Sequence, residues 1–215
     1  MRETASQLVR EAPERSIVVN PLDAQELKYT RVEYERRFLV SPSADWKSAV
    51  ESYSKTYEDK YLRDSRLRLR ILTDSDTGRR VLKLNKKLES PSPYFRTVGR
   101  ILLSPAEYRL LDGLAGDRLK KTRFYQTYRG RVFSIDVFDG ELEGLVLCET
   151  EAEELEDLMS AEPPPCASRE VTTDPFFEGG NLCRTTRADL KLKLSTFDSH
   201  PVEPAAMKSP PNASV

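Results

Sequence analysis

The amino-acid sequence predicts a mainly β (α+β) protein, an antiparallel barrel or sandwich with helices at its periphery. Three observations predict this fold class. Apolar and polar residues alternate with a period of two over seven separate stretches of the 215-residue chain. Glycines such as Gly78, Gly130 and Gly140 lie between those stretches, where tight turns are expected. Helical periodicity appears in only three stretches, so strands should dominate the fold.

The alternating stretches predict seven strands. Their predicted bounds are 32–40, 66–72, 80–87, 96–102, 119–128, 132–138 and 145–153. Gly130 and Arg131 separate two of these strands so closely that a tight hairpin is expected there. Because short connections join strands that run in opposite directions, the sheet is predicted to be antiparallel.

Helical periodicity predicts helices at 44–53, 105–114 and 182–194. Ser104 stands directly before Pro105, the order expected of an N-cap residue followed by a proline in the first turn. Residues 1–30 have no sustained period and are predicted to form a flexible leader, followed by one folded domain at 31–197. The segment 198–215 is rich in Pro, Ser and Ala and is predicted to be a disordered tail.

The composition argues against several classes of function. Lys and Arg number 34 against 35 for Asp and Glu, and a net charge of -1 argues against a nucleic-acid-binding protein. With a single histidine, His200, the sequence lacks the residues for a histidine-based catalytic triad or a zinc site. Cys148, Cys166 and Cys183 have neither metal-ligand spacing nor an even count, which favours the reducing cytoplasm. No stretch approaches the roughly 18 apolar residues of a membrane span, so no membrane partner is expected.

Each predicted strand carries charged side chains on one of its two faces. Residues i and i+2 of a strand point to the same side, so the members of this face can be read from the sequence. Its cations are Arg37, Arg66, Arg68, Arg70, Lys83, Lys87, Arg96, Arg100, Lys121 and Arg123. Its anions are Glu33, Glu35, Asp136, Glu149, Glu151 and Glu153.

Such a face has two interpretations. A charged strand face is usually a solvated surface outside an ordinary core. Alternatively, seven such faces can line the inside of a barrel whose apolar outer faces are covered by helices. An interior that mixes Arg and Lys with carboxylates suits a polyphosphate, because cations bind its oxygens and carboxylates hold a hard metal ion. Glu33 with Glu35 and Glu149 with Glu151 are then the natural metal-binding pairs.

Seven short motifs follow one another along residues 31 to 195. The first is Glu-x-Glu-x-Arg at 33–37, followed by Leu-Arg-Leu-Arg at 67–70, Leu-Lys at 82–83 and Lys-Thr-Arg-Phe at 121–124. The segments 135–138, 144–151 and 170–172 complete the series. Together they resemble the CYTH or triphosphate tunnel metalloenzyme family, most closely its short bacterial-type inorganic triphosphatases. Arg37 stands in the place of the lysine of the family's ExExK signature.

The resemblance implies an eight-stranded antiparallel barrel, a tunnel in which inorganic triphosphate (tripolyphosphate) is hydrolysed with Mg²⁺ or Mn²⁺. Catalytic roles are implied for Arg37, Glu33 and Glu35. The implied phosphate-binding residues are Arg68, Arg70, Lys83, Arg96, Lys121 and Arg123. The implied metal ligands are Glu33, Glu35, Glu149, Glu151 and Asp136.

Two positions depart from the family pattern. Arg37 stays protonated, so it cannot act as a general base as a lysine with a lowered pKa could. The strand Arg-Thr-Val-Gly-Arg at 96–100 keeps the arginine of the family's Arg-x-Glu-x-Glu and lacks both glutamates. Two other functions therefore stay open. One is a non-catalytic module that binds polyphosphate or a nucleotide, and the other is a triphosphatase or cyclase acting on ATP or thiamine triphosphate. The sequence does not predict the oligomeric state.

Overall fold

The computed structural model describes residues 30–88 and 90–198, which form nine β-strands and four α-helices. The strands are β1 (Thr30–Val40), β2 (Ser54–Leu62), β3 (Leu67–Asp74), β4 (Arg80–Lys87), β5 (Phe95–Leu102), β6 (Gly116–Tyr128), β7 (Arg131–Phe138), β8 (Val146–Ala152) and β9 (Ala167–Glu170). The helices are α1 (Pro105–Asp112), α2 (Leu155–Ser160), α3 (Gly179–Leu182) and α4 (Arg187–Asp198). None of these helices combines the length and the apolar character needed to cross a lipid bilayer. The predicted leader and tail lie almost entirely outside the described residues.

Eight of the strands close into an antiparallel barrel. The sheet runs β5-β4-β3-β2-β6-β7-β8-β1, and the first half of β1 pairs back with β5. The second half of β1 pairs with β9 on that same edge, while β8 occupies the opposite edge. The predicted mainly β, antiparallel fold class is therefore confirmed. The eight-stranded barrel implied by the family resemblance is confirmed as well.

The tight hairpin predicted near Gly130 is confirmed, with its turn one residue earlier than predicted. β6 ends at Tyr128 and β7 begins at Arg131, so Arg129 and Gly130 form the turn. Both have positive φ, 49° and 76°, as expected of the two-residue turns whose twist matches that of the flanking strands. Glycine adopts this conformation without a steric penalty, which explains its place here.

Of the three predicted helices, one is confirmed, one is displaced and one is wrong. α1 begins after Ser104, whose side chain accepts a hydrogen bond from the backbone N–H of Glu107 in a capping box. The helix predicted at 182–194 is instead two helices, α3 and α4, with a break between them. In place of a helix at 44–53, the chain has one 3₁₀ turn, Lys47–Ala49. Trp46 packs there against Phe124 of the barrel, and this tertiary contact outweighs a weak helical propensity.

Apolar side chains cover the outside of the barrel beneath α1 and the loops. Leu69 of β3 packs against Tyr108 of α1. On another side, Phe38 and Phe133 pack beneath Trp46. Fully burying one such side chain contributes about 1.5 to 3 kcal/mol. Part of the hydrophobic stabilisation therefore comes from the outer faces of the strands, which leaves the inner faces opposite them available for polar residues.

A third apolar cluster closes one end of the barrel, and we call it the floor. It joins the inward-facing ends of four strands to the segment that contains α3 and α4. Its members include Leu39, Leu119, Phe138, Leu147, Phe177, Leu182 and Leu190. The opposite end, where Arg100 and Glu151 are exposed, is called the mouth. Access to the interior is therefore asymmetric.

Candidate functional site

The charged strand faces point into the barrel, where they line a cavity of about 280 Å³ that we call the tunnel. The structure thus shows the inward arrangement and not a solvated outer face. The basic side chains of the described lining are Arg37, Lys55, Arg68, Arg70, Lys83, Lys87, Arg100, Lys121 and Arg123. Its carboxylates are Glu33, Glu35, Asp59, Glu149 and Glu151. Nine basic groups against five carboxylates give an excess of positive charge that attracts anions.

Arg37 joins two of these carboxylates. Its Nε lies 2.7 Å from Oε1 of Glu149, and its Nη2 lies 3.0 Å from Oε1 of Glu35. The register sets this contact, because Arg37 and Glu149 stand directly opposite each other on β1 and β8. Burial lowers the pKa of Arg37, but the charges of Glu149 and Glu35 outweigh burial and raise it above its ordinary value. The guanidinium therefore donates hydrogen bonds and does not accept a proton.

Asp136 stands opposite Arg123 on the inward face of β7 and is fully buried between two cations of the tunnel lining. Arg123 donates to it from Nε and Nη2, each at 2.6 Å, and Lys121 donates from Nζ. Arg123 also donates to Oε2 of Glu149 at 2.6 Å. Burial raises the pKa of Glu149, but the charges of Lys121, Arg37 and Arg123 lower it well below its usual range. Glu149 is therefore ionised, and arginine and lysine side chains hold both carboxylates.

β2, which the sequence does not predict, contributes Lys55, Tyr57, Asp59 and Tyr61 to the lining. Asp59 is 3% exposed and accepts two hydrogen bonds from Arg70, both at 2.6 Å. Burial raises the pKa of Asp59, but the charges of Arg68 and Arg70 outweigh burial and lower the pKa to about 2. Thr56, Tyr57 and Tyr61 are residue types that strands favour, and this composition, not an alternation of hydropathy, is the signal that could have identified the strand.

Two buried polar atoms of the tunnel lack a hydrogen-bond partner among the described residues. They are Nε of Arg68 and Oδ1 of Asn85. The two residues stand directly opposite each other on β3 and β4, and both line the tunnel. A buried donor or acceptor without a partner costs about 1 to 3 kcal/mol. A ligand oxygen can accept a hydrogen bond from Nε of Arg68, whereas Oδ1 of Asn85 requires a donor or a cation; either contact recovers part of that cost, as expected of a binding site.

β4 adds two lysines to the basic lining. Burial lowers the pKa of Lys83, and the charges of Arg100 and Arg70 lower it further. Burial also lowers the pKa of Lys87, whose Nζ lies 4.0 Å from Glu35. Lys83 is thus surrounded by positive charge, so an anion that enters the tunnel relieves repulsion at this position.

Carboxylates gather on the side of the tunnel toward the mouth. Glu35 and Glu151 stand directly opposite each other on β1 and β8, and Glu33 accepts a hydrogen bond from Arg100. Desolvation raises the pKa of Glu151, and the charges of Glu33, Glu149 and Glu35 raise it further. A carboxylate among other carboxylates is stabilised by an added cation.

The donor set fits a hard divalent cation that takes some of its ligands from a bound anion. Within 30–88 and 90–198, no group of three or more His, Cys, Asp or Glu side chains is arranged to hold a metal ion alone. Mg²⁺ is usually bound by one or two carboxylates together with water and substrate phosphates. Glu151 and Oε2 of Glu35, whose Oε1 accepts a hydrogen bond from Arg37, are placed to supply such carboxylates. Glu149 and Asp136, also predicted as ligands, are engaged by Arg37, Arg123 and Lys121.

Comparisons with known proteins find similar solved structures only. No protein-family model and no curated protein matches the chain. One structure of the inorganic triphosphatase NE1496 is 23% identical, covers 71% of this chain and 95% of that chain, and has a TM-score of 0.47. Another structure of NE1496 is 24% identical, covers 72% and 99%, and has a TM-score of 0.48. A Bacillus halodurans protein proposed to be an adenylate cyclase is 15% identical, covers 61% and 86%, and has a TM-score of 0.42. Similarities at this level assign no function to the chain.

Arg96, predicted to bind phosphate, lies outside the tunnel. It lines a second cavity of about 460 Å³, beside the floor, that we call the back cavity. Its Nη2 lies 2.7 Å from Oε1 of Glu178, and its Nη1 donates to the carbonyl oxygen of Ser92 at 2.6 Å. β5 therefore carries Arg96 to the back cavity and Arg100 to the tunnel.

The tunnel brings together most of the residues that the sequence predicts for the site. Asp136 is buried between two cations of its lining, and Arg96 is separate. The predicted residues that line it are Glu33, Glu35, Arg37, Arg68, Arg70, Lys83, Lys121, Arg123, Glu149 and Glu151.

Proposed function

We propose that the protein binds inorganic triphosphate in the tunnel and hydrolyses it to diphosphate and phosphate with Mg²⁺ or Mn²⁺. One observation carries this proposal: nine basic side chains and five carboxylates line a single cavity of about 280 Å³. At about 30 Å³ per water, that volume corresponds to about nine water molecules, enough for a small polyanion and too little for a nucleic-acid strand. The mixture of charges suits a phosphate chain that carries a divalent cation.

The aromatic rings of the tunnel are not available to stack on a nucleobase. The guanidinium of Arg70 lies 4.5 Å from the ring centroid of Tyr57, and that of Arg68 lies 5.8 Å from the centroid of Tyr61. The phenylalanine rings of the described lining are packed into the floor. Because these surfaces are already covered, the tunnel favours an inorganic triphosphate over ATP.

In the proposed reaction, the basic lining binds the phosphoryl oxygens. Lys83 lies among cations, so it gains a partner when the anion enters. Arg70 and Arg123 are oriented by the carboxylates that they hold, which fixes their guanidinium planes before substrate arrives. A divalent cation would stabilise the charge that develops on phosphoryl oxygens during in-line attack by water.

We expect phosphate release from tripolyphosphate to be at least about tenfold faster than from ATP, because no stacking contact, which would be worth about 1 to 3 kcal/mol, offsets the cost of placing the adenosine of ATP at the tunnel. EDTA should abolish the release. The measurement is a phosphate-release assay with tripolyphosphate, ATP and thiamine triphosphate side by side. Equal or faster release from an organic triphosphate would favour the alternative substrate class, and rates that chelator leaves unchanged would contradict a role for metal.

A non-catalytic binding module is the second function that a specific observation favours. Arg37 stands where the family pattern has a lysine. Its guanidinium is hydrogen-bonded to Glu149 and Glu35 and cannot accept a proton. Tripolyphosphate would then raise the melting temperature of the protein without being hydrolysed in Mg²⁺ or Mn²⁺. The absence of both hydrolysis and thermal stabilisation would contradict both functions.

We expect Arg37→Lys to raise the turnover number with tripolyphosphate and Arg37→Ala to lower turnover and affinity. The guanidinium of Arg37 spans Glu35 and Glu149, whereas the ammonium of lysine is a point charge that cannot hold both in the same way. One carboxylate is thereby released toward the cation. Steady-state kinetics of the two variants give the comparison. A loss of turnover in Arg37→Lys as large as in Arg37→Ala would show that the contact with both carboxylates is required.

A further inference from the structure

The back cavity has the lining of an anion site, and we propose that it is a second phosphate-binding subsite, separate from the tunnel. This inference rests on the proposed function, since the tunnel holds the triphosphate. The basic residues of its described lining are Arg66, Arg68, Lys87 and Arg96, and its hydroxyl groups belong to Tyr61, Ser65 and Ser90. Guanidinium and hydroxyl donors are the groups that bind phosphate oxygens in proteins.

The charge of the back cavity favours a phosphate. The single carboxylate among its described lining residues, Glu178, forms an ion pair with Arg96. Among the described lining residues, basic groups therefore outnumber carboxylates by three, and two of them, Arg68 and Lys87, also lie near Asp59 and Glu35 of the tunnel. Arg96 is held in place by hydrogen bonds to the carbonyl oxygens of Ser92 and Phe95, at 2.6 and 3.0 Å, so its guanidinium is oriented before a ligand arrives.

The back cavity meets the tunnel along four residues that line both cavities: Tyr61, Arg68, Lys87 and Gly179. Arg68 is decisive at this boundary, because its buried Nε lacks a partner among the described residues. Nη1 of Arg68 lies 3.4 Å from the hydroxyl oxygen of Tyr61 and is directed toward it. Nε can therefore donate its hydrogen bond to a ligand. A phosphoryl oxygen at the boundary would accept a hydrogen bond from Nε.

Gly179 and Gly180 lie next to each other at this boundary and differ in the space available for a side chain. A Cβ at Gly179 would overlap the hydroxyl oxygen of Tyr61, so the position of Tyr61 requires glycine there. A Cβ at Gly180 would make an ordinary contact, 3.8 Å from Cδ1 of Tyr61. Alanine is therefore tolerated at Gly180, whereas a larger side chain would extend into the back cavity.

The phosphoryl group can come from two sources. One is the fourth or a later phosphate of a polyphosphate whose first three phosphates occupy the tunnel, and the other is free inorganic phosphate. The described lining offers little to an organic group, because its one aromatic ring, Tyr61, is covered by the guanidinium of Arg68.

Isothermal titration calorimetry in the presence of EDTA separates these sources, because no ligand is hydrolysed. The ligands are tripolyphosphate, a medium-chain polyphosphate, and inorganic phosphate added to protein saturated with tripolyphosphate. The proteins are the wild type, Gly180→Leu to fill the back cavity, Gly180→Ala as its matched control, and Arg66→Gln to remove a charge. Arg66 is exposed, so Arg66→Gln provides a second test that does not depend on packing beside Tyr61.

We expect the wild type to bind the longer polyphosphate about tenfold more tightly than tripolyphosphate, or to bind one inorganic phosphate beside tripolyphosphate. Gly180→Leu and Arg66→Gln should weaken this extra binding about tenfold, with the affinity for tripolyphosphate unchanged and Gly180→Ala equal to wild type. No extra binding with either ligand, or extra binding that survives in both variants, would overturn the proposal. If wild type neither binds tripolyphosphate in EDTA nor hydrolyses it in Mg²⁺ or Mn²⁺, the proposed function fails. In that case the subsite is still supported if wild type binds inorganic phosphate and Gly180→Leu abolishes that binding. If wild type does not bind inorganic phosphate, the proposal is overturned.

Discussion

Replacing Asp136 by asparagine is expected to lower the free energy of unfolding by about 3 to 5 kcal/mol. Asp136 is fully buried and accepts hydrogen bonds from Arg123 and Lys121. An amide of the same shape removes the carboxylate charge that Lys121 and Arg123 share, and although Arg123 keeps its ion pair with Glu149, uncompensated buried charge at Lys121 is strongly destabilising. Urea unfolding followed by circular dichroism measures the difference.

The matched control for this prediction is Glu162→Gln. Glu162 also pairs with an arginine, Arg129, but both side chains are more than half exposed, at 64% and 62%. Water and salt screen such a pair, so no measurable change in stability is expected. Tripolyphosphate should restore part of the stability lost in Asp136→Asn, because its oxygens can pair with Arg123. Equal stability of the Asp136→Asn and wild-type proteins would show that water in the tunnel solvates the two cations.

The second large effect is expected from Glu151→Gln, which should lower metal-dependent turnover of tripolyphosphate by about a hundredfold or more. Its carboxylate stands opposite Glu35, and the charges of Glu33, Glu149 and Glu35 raise its pKa in addition to desolvation. Neutralising Glu151 removes its repulsion with the neighbouring carboxylates, and it also removes a ligand of the cation. We therefore expect the melting temperature to stay the same or rise while activity falls.

Glu58→Gln is the control for this variant, because Glu58 is an exposed carboxylate on the outer face of β2. Its activity and its melting temperature should equal those of the wild type. The turnover number, the concentration of Mg²⁺ or Mn²⁺ at half-maximal rate, and the melting temperature are measured for both variants. A Glu151→Gln protein with normal turnover would place the cation elsewhere, and one with reduced stability would assign Glu151 to a structural ion-pair network.

The barrel could be predicted from the sequence because most of its strands have one apolar face and one charged face. In β3, for example, Leu69 packs outward while Arg68 and Arg70 point inward, so the period of two is strong. β2 lacks this contrast. Glu58 and Lys60 on its outer face are as polar as Lys55 and Asp59 on its inner face, so no alternation of hydropathy marks the strand.

The partners of the charged residues could be predicted less well than their common face. Residue spacing brings Arg37 and Glu35 to one side of β1, but only the register of β1 with β8 brings Glu149 to Arg37. Arg96 shows the same limit. It shares a strand face with Arg100, yet its guanidinium reaches Glu178, which is 82 residues later in the chain. Strand periodicity contains no information about such a contact between distant segments.

The ion pairs inside the tunnel make the protein resemble an ion exchanger. Arg37, Arg70 and Arg123 are already neutralised by internal carboxylates. An incoming anion must therefore compete with several carboxylates at once, which selects for high charge density and against abundant monovalent anions such as chloride. Each carboxylate that the anion displaces becomes free to take up a cation. In the proposed function, uptake of the anion and uptake of a divalent cation are therefore thermodynamically linked, and each should increase the affinity for the other by the same factor.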